Sequence, residues 1–475
     1  MACCFFLYLF RLSGTGLLGP DEPRYAAIGR QMAWSSDWIT PRLWGRPWFE
    51  KPALLYWMTA AGFRLGLGEE TAPRAPVALL SLAFLAFFAW AVRRVFDGQT
   101  AGYATAILGA CAGWVSFSYI PSPDLPMTAF FSAAMLAGMI WRGGGSSGWL
   151  TGAAALLGFS VLAKGLVPLA LALPFGWYAR ARWKDLFGWR PWAAFLFVTV
   201  PWYWLCYAKN GSEFVRIFFW EHHVQRFLTP ALLHPQPGWF YLPVLAAALF
   251  PWTPVLALFF SRRVWRDDRC RFLLLWLGFG LLFFSKATNK LPGYILPLVP
   301  AAAVIGGVAL ARARGAARWI LAASAALMCL VFPLASMLPQ ALAAGLSRAS
   351  IPAWSAAWTA PLLVAAAVWY LDTRSMRSAA ALVITAAAAA AVVYLKTVSF
   401  PQIDAMYSTR PLWRQIAASQ AEVCLDGIQR SWRYGLNYYS VEPLPDCDQV
   451  TRPARIRQFD GPPVLCGTGG IVCPP

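Results

Sequence analysis

The chain has few charged residues and almost no histidine for its length. Of its 475 residues, 13% are charged, about half of the roughly 25% typical of soluble domains, and only three are histidines. Hydrophobic residues make up 59% of the chain, with 26 tryptophans and 32 phenylalanines. This shortage of charge excludes a soluble enzyme, a disordered chain and a coiled coil. The composition predicts a polytopic helical membrane protein.

Acidic residues are scarcer than basic ones. The chain has 40 Lys and Arg against 21 Asp and Glu, a net charge of +19. In a soluble chain this excess would indicate a nucleic-acid partner. In a membrane protein it indicates Lys and Arg in the cytoplasmic loops, so we expect no nucleic-acid partner.

Long apolar runs recur along the chain and predict about thirteen membrane spans. The first ends near Leu12 and lacks the basic start and cleavage site of a signal peptide, so we interpret it as a truncated or late-starting span. Several runs are shorter than the ~20 residues that an upright helix needs. The spans are placed near residues 1–12, 74–92, 101–119, 124–141, 149–163, 166–179, 191–207, 241–260, 272–285, 293–311, 319–338, 354–371 and 378–396.

Basic residues occur in alternate connecting segments, which the positive-inside rule assigns to the cytoplasm. The alternation predicts a multi-pass membrane protein with its N-terminus in the cytoplasm and its C-terminus in the opposite compartment, which for a bacterial inner membrane is the periplasm. The cytoplasmic set contains Arg93, Arg94, Arg142, Arg180, Arg182, Lys184, Arg190, Arg262, Arg263, Arg266, Arg269, Arg271, Arg312, Arg314, Arg318, Arg374 and Arg377. The periplasmic segments are 13–73, 208–240, 285–292, 339–353 and the chain from about residue 397.

The predicted domains are a transmembrane domain, 1–400, and a small periplasmic domain, 401–475. The loops 13–73 and 208–240 belong to the first. The second is too polar to span a membrane, and we expect a mixed α/β fold with a strand around Trp432–Val441.

Ten cysteines fall into two groups. Those in or beside spans are expected to be free and to pack as small hydrophobic residues: Cys3, Cys4, Cys111, Cys206, Cys270 and Cys329. The other four, in the periplasmic domain, predict two disulfides: Cys424, Cys447, Cys466 and Cys473. Three pairings are possible. Local loop closure favours Cys424–Cys447 with Cys466–Cys473. A zinc site is the alternative, although no paired C-x-x-C is present.

Residues suited to chemistry concentrate in the predicted periplasmic segments. Each has an ordinary structural alternative. Asp21 could cap a helix, Glu50 and Lys51 could form a solvated pair, and Asp124 could belong to a proline-flanked turn. Lys164 and Arg226 could reach lipid headgroups, and His222 and His223 could be interfacial. Together, however, carboxylates and cations converge on one leaflet from distant loops, and ionisable groups at membrane depth are costly. This one-sided placement favours an interfacial enzyme over a transporter, whose polar residues lie near the midplane.

Six motifs at these positions resemble the bacterial aminoarabinose transferase family, which belongs with the protein O-mannosyltransferase-like enzymes of the GT-C class. The resemblance covers roughly residues 15–300. The motifs are DEPRYA at 21–26, FEKP with a following YW at 49–57, Asp124 after the third span, AKG at 163–165, FFWEHHVQRF at 218–227 and FFSKATNKLPGYIL at 283–296.

The resemblance implies a polytopic all-α GT-C glycosyltransferase of the bacterial inner membrane. Such an enzyme moves 4-amino-4-deoxy-L-arabinose, or a related amino sugar, from undecaprenyl phosphate to lipid A or another envelope acceptor in the periplasm. A protein or glycan hydroxyl is the alternative acceptor, and a lipid flippase is the alternative from a different class. The implied partners are these two substrates and the membrane lipids. No oligomer is implied.

The resemblance also assigns roles to residues. Asp21 is the implied catalytic carboxylate and Asp124 a second one. The implied carrier-phosphate ligands are Lys51, Arg226 and Tyr294, to which Lys164 is added because a departing phosphate needs cations. Glu50, His222 and His223 match a divalent metal site, with zinc expected, and no nucleotide or organic cofactor is implied. The remaining motif residues are Glu22, Arg24, Tyr25, Lys286 and Lys290.

Overall fold

The protein is built almost entirely of helices, as the composition predicts. The computed structural model describes residues 2–225, 235–345, 348–417, 422–459 and 461–467. The α-helices up to residue 407 are Ala2–Tyr8, Asp21–Ser35, Leu54–Arg64, Thr71–Val95, Gly98–Ala110, Ala112–Phe117, Asp124–Arg142, Ser147–Lys164, Val167–Leu171, Leu173–Tyr178, Trp189–Val215, Tyr241–Ala248, Arg262–Trp265, Asp268–Lys286, Val299–Arg312, Ala316–Ala326, Val331–Ala344, Pro361–Thr373 and Arg377–Tyr407. Shorter 3-10 segments are Ala179–Phe187, Thr253–Phe260, Pro292–Leu298, Leu327–Leu330 and Ala356–Thr359, and Arg216–Gln225 is a π-helix.

Several helices are suited to crossing a membrane. Within the described ranges, five are long and apolar enough to do so: Thr71–Val95, Asp124–Arg142, Pro292–Arg312, Ala316–Leu342 and Arg377–Tyr407. A bent pair between residues 241 and 260 would make a sixth. The chain is therefore a multi-pass membrane protein, and the count of about thirteen spans stays a prediction.

Prolines interrupt two of the predicted spans. The run 166–179 forms two short helices, each with a proline, Pro168 or Pro174, in its first turn. The run 241–260 bends by 114° between its two helical parts. Because proline cannot donate a backbone hydrogen bond and clashes with the preceding turn, an apolar run that contains it need not form one straight helix.

The segment that connects the first helix to the helix Thr71–Val95 in sequence forms a compact layer, which we call the layer around Asp21. It contains the helix Asp21–Ser35, a short antiparallel hairpin of Arg42–Leu43 with Arg46–Pro47, and the helix Leu54–Arg64. The two helices pack closely because Gly29 lacks a side chain: a Cβ there would lie 2.4 Å from the Cγ2 of Thr59.

Arg74 anchors the start of the helix Asp21–Ser35. Its guanidinium pairs with the Glu22 carboxylate at 2.7 Å and donates to the carbonyl oxygens of Thr15 and Gly16 at 2.7 and 2.9 Å. Arg74 and Glu22 are both buried. An ion pair that is buried and hydrogen-bonded on several sides fixes geometry, because removing either partner leaves an uncompensated charge. The first turn of this helix, which carries Asp21, is therefore held in place.

The C-terminal region contains both strands and helices. Its three-stranded sheet pairs Val423–Asp426 in parallel with Ala454–Arg457, which pairs antiparallel with Val464–Gly467. The helices Arg410–Ile416 and Arg430–Tyr439 accompany the sheet. The domain division at residue 400 stays a prediction, and the helix Arg377–Tyr407 continues past it.

The expected strand around Trp432–Val441 is wrong, because most of this run belongs to the helix Arg430–Tyr439. Its buried side chains include Trp432, Leu436 and Tyr439, which recur at the three-to-four-residue spacing of one helical face. The many aromatic residues favoured a strand, but the periodicity of the buried positions is helical.

This C-terminal helix is attached to the layer around Asp21. The Tyr438 hydroxyl donates to the Glu69 carbonyl oxygen at 2.8 Å, and the Tyr439 hydroxyl donates to the Glu70 carboxylate at 3.1 Å. Arg30 donates to the Tyr438 carbonyl oxygen, and the Trp44 ring lies 5.3 Å from that of Tyr434. Four contacts thus fix the helix Arg430–Tyr439 beside the layer.

The preferred pairing of Cys424 with Cys447 is confirmed. The bond excludes the alternative zinc site at these two cysteines. Cys466 is also disulfide-bonded, and its expected partner, Cys473, lies outside the described residues. The six cysteines expected to be free are free.

Replacing both Cys424 and Cys447 by serine should destabilise the C-terminal region by about 3 kcal/mol, because the bond closes a short loop and restricts the unfolded chain. Limited proteolysis of the region, with thermal unfolding of the whole protein, measures the effect. Mass spectrometry of non-reduced wild-type protein is the control. Alkylatable thiols at both positions would contradict the pairing and the expected periplasmic location of the region.

Candidate active site

Asp21 stands at the first turn of its helix with its carboxylate exposed. The helix begins at Asp21 itself, after Pro20, and no side chain caps its end. The capping alternative therefore does not hold. Instead, the Asp21 carboxylate accepts a hydrogen bond from Arg24 at 2.5 Å, while its side chain stays 54% exposed. A carboxylate at a helix N-terminus is stabilised by the helix dipole, so Asp21 presents a fixed negative charge to solvent.

A chain of alternating charges continues from Asp21 into the protein. Arg24 is buried and also pairs with Glu50, Nη1 to Oε2 at 3.1 Å. The other oxygen of Glu50 lies 3.6 Å from the ammonium of Lys51. Because Glu50 is buried and Lys51 nearly so, the alternative of a solvated surface pair does not hold. The DEPRYA and FEKP motifs are therefore joined by ion pairs.

Tyr25 lies beside these charges with its side chain buried. Burial raises the pKa of Tyr25 well above its usual value, and the negative charges of Glu50 and Asp21 raise it further. The phenol therefore stays protonated at physiological pH and can donate a hydrogen bond. The Arg24 guanidinium lies 5.0 Å from the centre of its ring, which fixes both side chains.

Asp124 and Lys164 form a second charged pair. Asp124 opens the helix Asp124–Arg142, Lys164 ends the helix Ser147–Lys164, and the two side chains form a salt bridge with only 14% and 10% of their surface exposed. The Lys164 ammonium also lies 4.6 Å from the ring centre of Tyr294. Next to Tyr294, Gly293 packs closely against this pair, because a Cβ there would lie 2.8 Å from the Phe117 ring and 3.1 Å from the Asp124 carboxylate.

Charged groups from both sets line one cavity of about 150 Å³. Its carboxylates come from Asp21 and Asp124, and its cations from Lys51 and Lys164. Tyr25 and Tyr294, each with a phenol hydroxyl, also line this cavity. The full lining is Asp21, Tyr25, Lys51, Ser122, Pro123, Asp124, Lys164, Val167, His222, Phe283, Phe284, Ala287, Asn289, Leu291 and Tyr294. We call it the lysine cavity.

A second cavity, of about 580 Å³, adjoins the first. The two share Asp21, Tyr25, His222 and Leu291. The lining of the second is Pro20, Asp21, Arg24, Tyr25, Pro47, Trp48, Phe49, Glu50, Ile217, His222, Leu291 and Arg430. We call it the arginine cavity, because its cations are guanidinium groups. Asp21 thus belongs to the wall between two chemically different spaces.

Of the other motif residues, Glu22, Lys286 and Lys290 line neither cavity. Glu22 is held by Arg74, as described above. Lys290 is buried and donates to the carbonyl oxygens of Gln236 and Ala287 at 2.9 and 2.6 Å, so it fixes a loop. Lys286 is exposed at the end of its helix. Arg226, expected at the carrier phosphate, lies outside the described residues.

The residues of the expected metal site are only partly described. Glu50 and His222 line the arginine cavity together, whereas the side chain of His223 lies outside the described part of the chain. Among the described residues, no group of three His, Cys, Asp or Glu side chains could hold a metal ion. The Glu50 carboxylate, moreover, already faces two cations, Arg24 and Lys51. The described residues do not fit a zinc centre, which needs at least three protein ligands.

Among the lining residues whose side chains can form hydrogen bonds, four were not among the predicted site residues: Trp48, Ser122, Asn289 and Arg430. The first three adjoin or lie within the quoted motifs, and proximity to those motifs could have indicated them. Arg430 had no such signal. It begins a helix in the C-terminal region, and only the attachment of that region brings it to the cavity.

Known proteins resemble this chain in sequence and fold. Residues 50–205 match the family model described as dolichyl-phosphate-mannose-protein mannosyltransferase. An undecaprenyl phosphate-alpha-4-amino-4-deoxy-L-arabinose arabinosyl transferase of Pseudomonas aeruginosa is 36% identical over 327 residues, which are 65% of this chain and 58% of that protein. The corresponding transferase of Edwardsiella ictaluri is 35% identical over 336 residues, again 65% and 58%. The aligned region thus spans less than two thirds of these relatives.

Two solved structures extend the likeness to nearly the whole chain. The crystal structure of ArnT from Cupriavidus metallidurans bound to undecaprenyl phosphate superposes with a TM-score of 0.77 at 25% identity, over 97% of this chain and 92% of that one. Its apo form gives the same TM-score at 26% identity. The fold is that of the GT-C class of membrane glycosyltransferases. Within that class, the chain is similar in sequence and fold to the aminoarabinose transferases, and the resemblance seen in its motifs is confirmed.

Proposed function

We propose that the protein transfers 4-amino-4-deoxy-L-arabinose from undecaprenyl phosphate to a lipid A phosphate on the periplasmic side of the inner membrane. The observation that carries the proposal is the exposed Asp21 carboxylate in the wall of a cavity that also presents Lys51 and Lys164. The family relationship supports it: the curated relatives are named for this sugar and carrier, and the related crystal structure contains undecaprenyl phosphate.

The lysine cavity suits the carrier phosphate. When the bond between sugar and phosphate breaks, negative charge develops on the departing phosphate. Lys51 and Lys164 are poised to stabilise it, and single donors in such roles are worth ~3 kcal/mol. Asp124 holds Lys164 in position, and Phe283 and Phe284 offer apolar surface to the lipid beside the phosphate. By family resemblance, Arg226 adds a further cation, and Tyr294 contacts the phosphate.

The proposed step is a single displacement. An acceptor oxygen forms a bond to the anomeric carbon while the bond from that carbon to the carrier phosphate oxygen breaks, and undecaprenyl phosphate leaves with the electron pair. An ionised phosphate acceptor has no proton to lose, so Asp21 would stabilise the positive charge that develops on the sugar ring. A hydroxyl acceptor would instead need Asp21 as general base. In-line attack predicts inversion at the anomeric carbon. No step needs a metal at Glu50 and His222.

Purified protein given both lipids in detergent tests the proposal. We expect a new glycolipid, heavier than lipid A by one aminoarabinose residue, together with free undecaprenyl phosphate. Mass spectrometry detects the product, and NMR of the anomeric carbon reports the configuration. If the protein transfers the sugar to a protein or glycan hydroxyl but not to lipid A, the assignment of lipid A as the acceptor is wrong. Movement of intact donor across vesicles without any product would favour a flippase.

The proposed orientation places the cavities at the periplasmic face. A topology reporter fused near Arg266 should therefore report the cytoplasm, and one fused at Ser212 or after Gln402 should report the periplasm. The fusions are compared in the same strain. A reversed signal at any of the three positions would contradict both the orientation and the site of transfer.

A further inference from the structure

The arginine cavity is bounded by two regions that are far apart in sequence. Arg24, Trp48, Phe49 and Glu50 come from the layer around Asp21, whereas Arg430 comes from the C-terminal region. Arg430 is exposed, and in the described part of the chain it forms no ion pair. Its guanidinium lies 5.0 Å from the ring centre of Tyr434, which limits its freedom. The C-terminal region thus presents a cation to the cavity.

The charges of this cavity depend on Arg430. Its described lining contains two carboxylates, Asp21 and Glu50, and two guanidinium groups, Arg24 and Arg430. The charge of Arg24 is already balanced within the protein, because Arg24 pairs with Asp21 at 2.5 Å and with Glu50 at 3.1 Å. Without Arg430 the described lining would carry a net negative charge. An anionic ligand could then approach Asp21 only against repulsion.

Arg430 is also held at a defined place. The Cys424–Cys447 disulfide anchors the strand that precedes it, and Tyr438 and Tyr439, at the other end of its helix, are bonded to Glu69 and Glu70. A binding group attached to a fixed helix loses less entropy on binding than one on a free loop. The position therefore suits a binding site.

We propose that the arginine cavity is the acceptor subsite and that Arg430 holds an anionic group of the acceptor, a phosphate of the glycolipid. This proposal rests on the transfer proposed above. In-line attack requires the acceptor to approach the sugar from the side away from the carrier phosphate. The cations assigned to the carrier, Lys51 and Lys164, line only the lysine cavity, and Arg430 lines only the arginine cavity. Asp21, at the boundary, lies where the two substrates would meet.

The donor sugar fits this position less well. Its amino group is a cation at neutral pH, and Arg430 would repel it. A phosphate, in contrast, accepts two parallel hydrogen bonds from a guanidinium, which recognises it in a fixed orientation. Trp48 and Phe49 give the same cavity an apolar wall for the glycolipid body.

Arg430→Gln tests the subsite. We expect KM for a phosphate-bearing lipid A acceptor to rise by about 10- to 100-fold, the loss of one charge-assisted hydrogen-bonding group. KM for the undecaprenyl-phosphate donor should stay unchanged, as should the slow hydrolysis of the donor by water. Arg430→Lys keeps the charge but not the paired donors, so it should recover only part of the acceptor affinity.

Arg455→Gln is the matched control. Arg455 is exposed in the same region and lines neither cavity, and its replacement by glutamine removes the same charge. Its acceptor KM should equal that of the wild type. Unchanged acceptor KM in Arg430→Gln, or a change confined to the donor KM, would overturn the subsite while leaving the transfer intact. Absence of transfer by the wild type would instead overturn the proposed function. Intact Cys424–Cys447 in the variant shows that its C-terminal region is folded.

Discussion

Asp21→Asn should lower kcat for sugar transfer by about 10²–10³-fold, while the protein stays folded and binds undecaprenyl phosphate. The substitution keeps the shape of the side chain and removes its charge. Arg24 remains anchored by Glu50 at 3.1 Å, so the layer around the site should not collapse. The carrier cations, Lys51 and Lys164, are untouched, and donor binding should therefore survive.

The matched control is Asp37→Asn, the same change in the same segment, 13–73. The Asp37 carboxylate pairs with Lys209 at 2.8 Å and lines neither cavity. Initial rates of glycolipid formation and donor binding are measured for both variants beside the wild type. We expect near-normal transfer only in Asp37→Asn. Near-normal turnover in Asp21→Asn would reduce Asp21 to a counter-ion of Arg24.

The helical membrane architecture could be predicted from composition because it depends on averages. In a chain that is 59% hydrophobic, the backbone N–H and C=O groups that lie in lipid can find hydrogen-bond partners only within helices or a closed barrel. The breaks within spans could not be predicted in the same way, because they depend on where each proline falls in a turn. The apolar run 241–260, for example, reads as one span but forms two helical parts that meet at an angle of 114°.

The helix Arg430–Tyr439 shows the limit for local structure. Its aromatic residues have strand propensity, and the burial pattern that makes it a helix arises from the sheet and from the layer around Asp21. Tertiary contacts of this kind override local propensity. The same contacts bring Arg430 to the arginine cavity, which explains why no motif marked this residue.

Most residues of the candidate site could be predicted from the motifs, but the ion pairs and hydrogen bonds between them could not. Motifs placed Asp21, Glu50 and Lys51 in one loop, yet the buried position of Arg24 between two carboxylates is a property of the fold. Glu22 and Lys290 belong to the same motifs and hold the scaffold instead. Neighbours in sequence point in different directions along a helix, so a motif alone does not separate the two roles.

The pair Asp124 and Lys164 should act as one unit in catalysis. Their side chains are bonded to each other and are largely buried, so neither can be removed without affecting the other. Asp124→Asn leaves Lys164 without the carboxylate that positions it, and Lys164→Met removes the cation itself. We expect each single variant to lower kcat/KM by about 10²-fold, in the range seen when one stabilising donor is lost.

The double variant Asp124→Asn with Lys164→Met distinguishes positioning from an independent catalytic role. If Asp124 acts only through Lys164, the double variant should be no worse than Lys164→Met, because residues that act as a unit are not additive. Asp185→Asn is the control, since Asp185 pairs with Arg182 at 2.9 Å and lines neither cavity, and it should transfer sugar normally. Losses that multiply in the double variant would show that Asp124 contacts the substrates directly, as a second catalytic carboxylate. Donor binding separates the two outcomes further, because Lys164 loss weakens carrier binding, whereas loss of a carboxylate that acts on the acceptor leaves it unchanged.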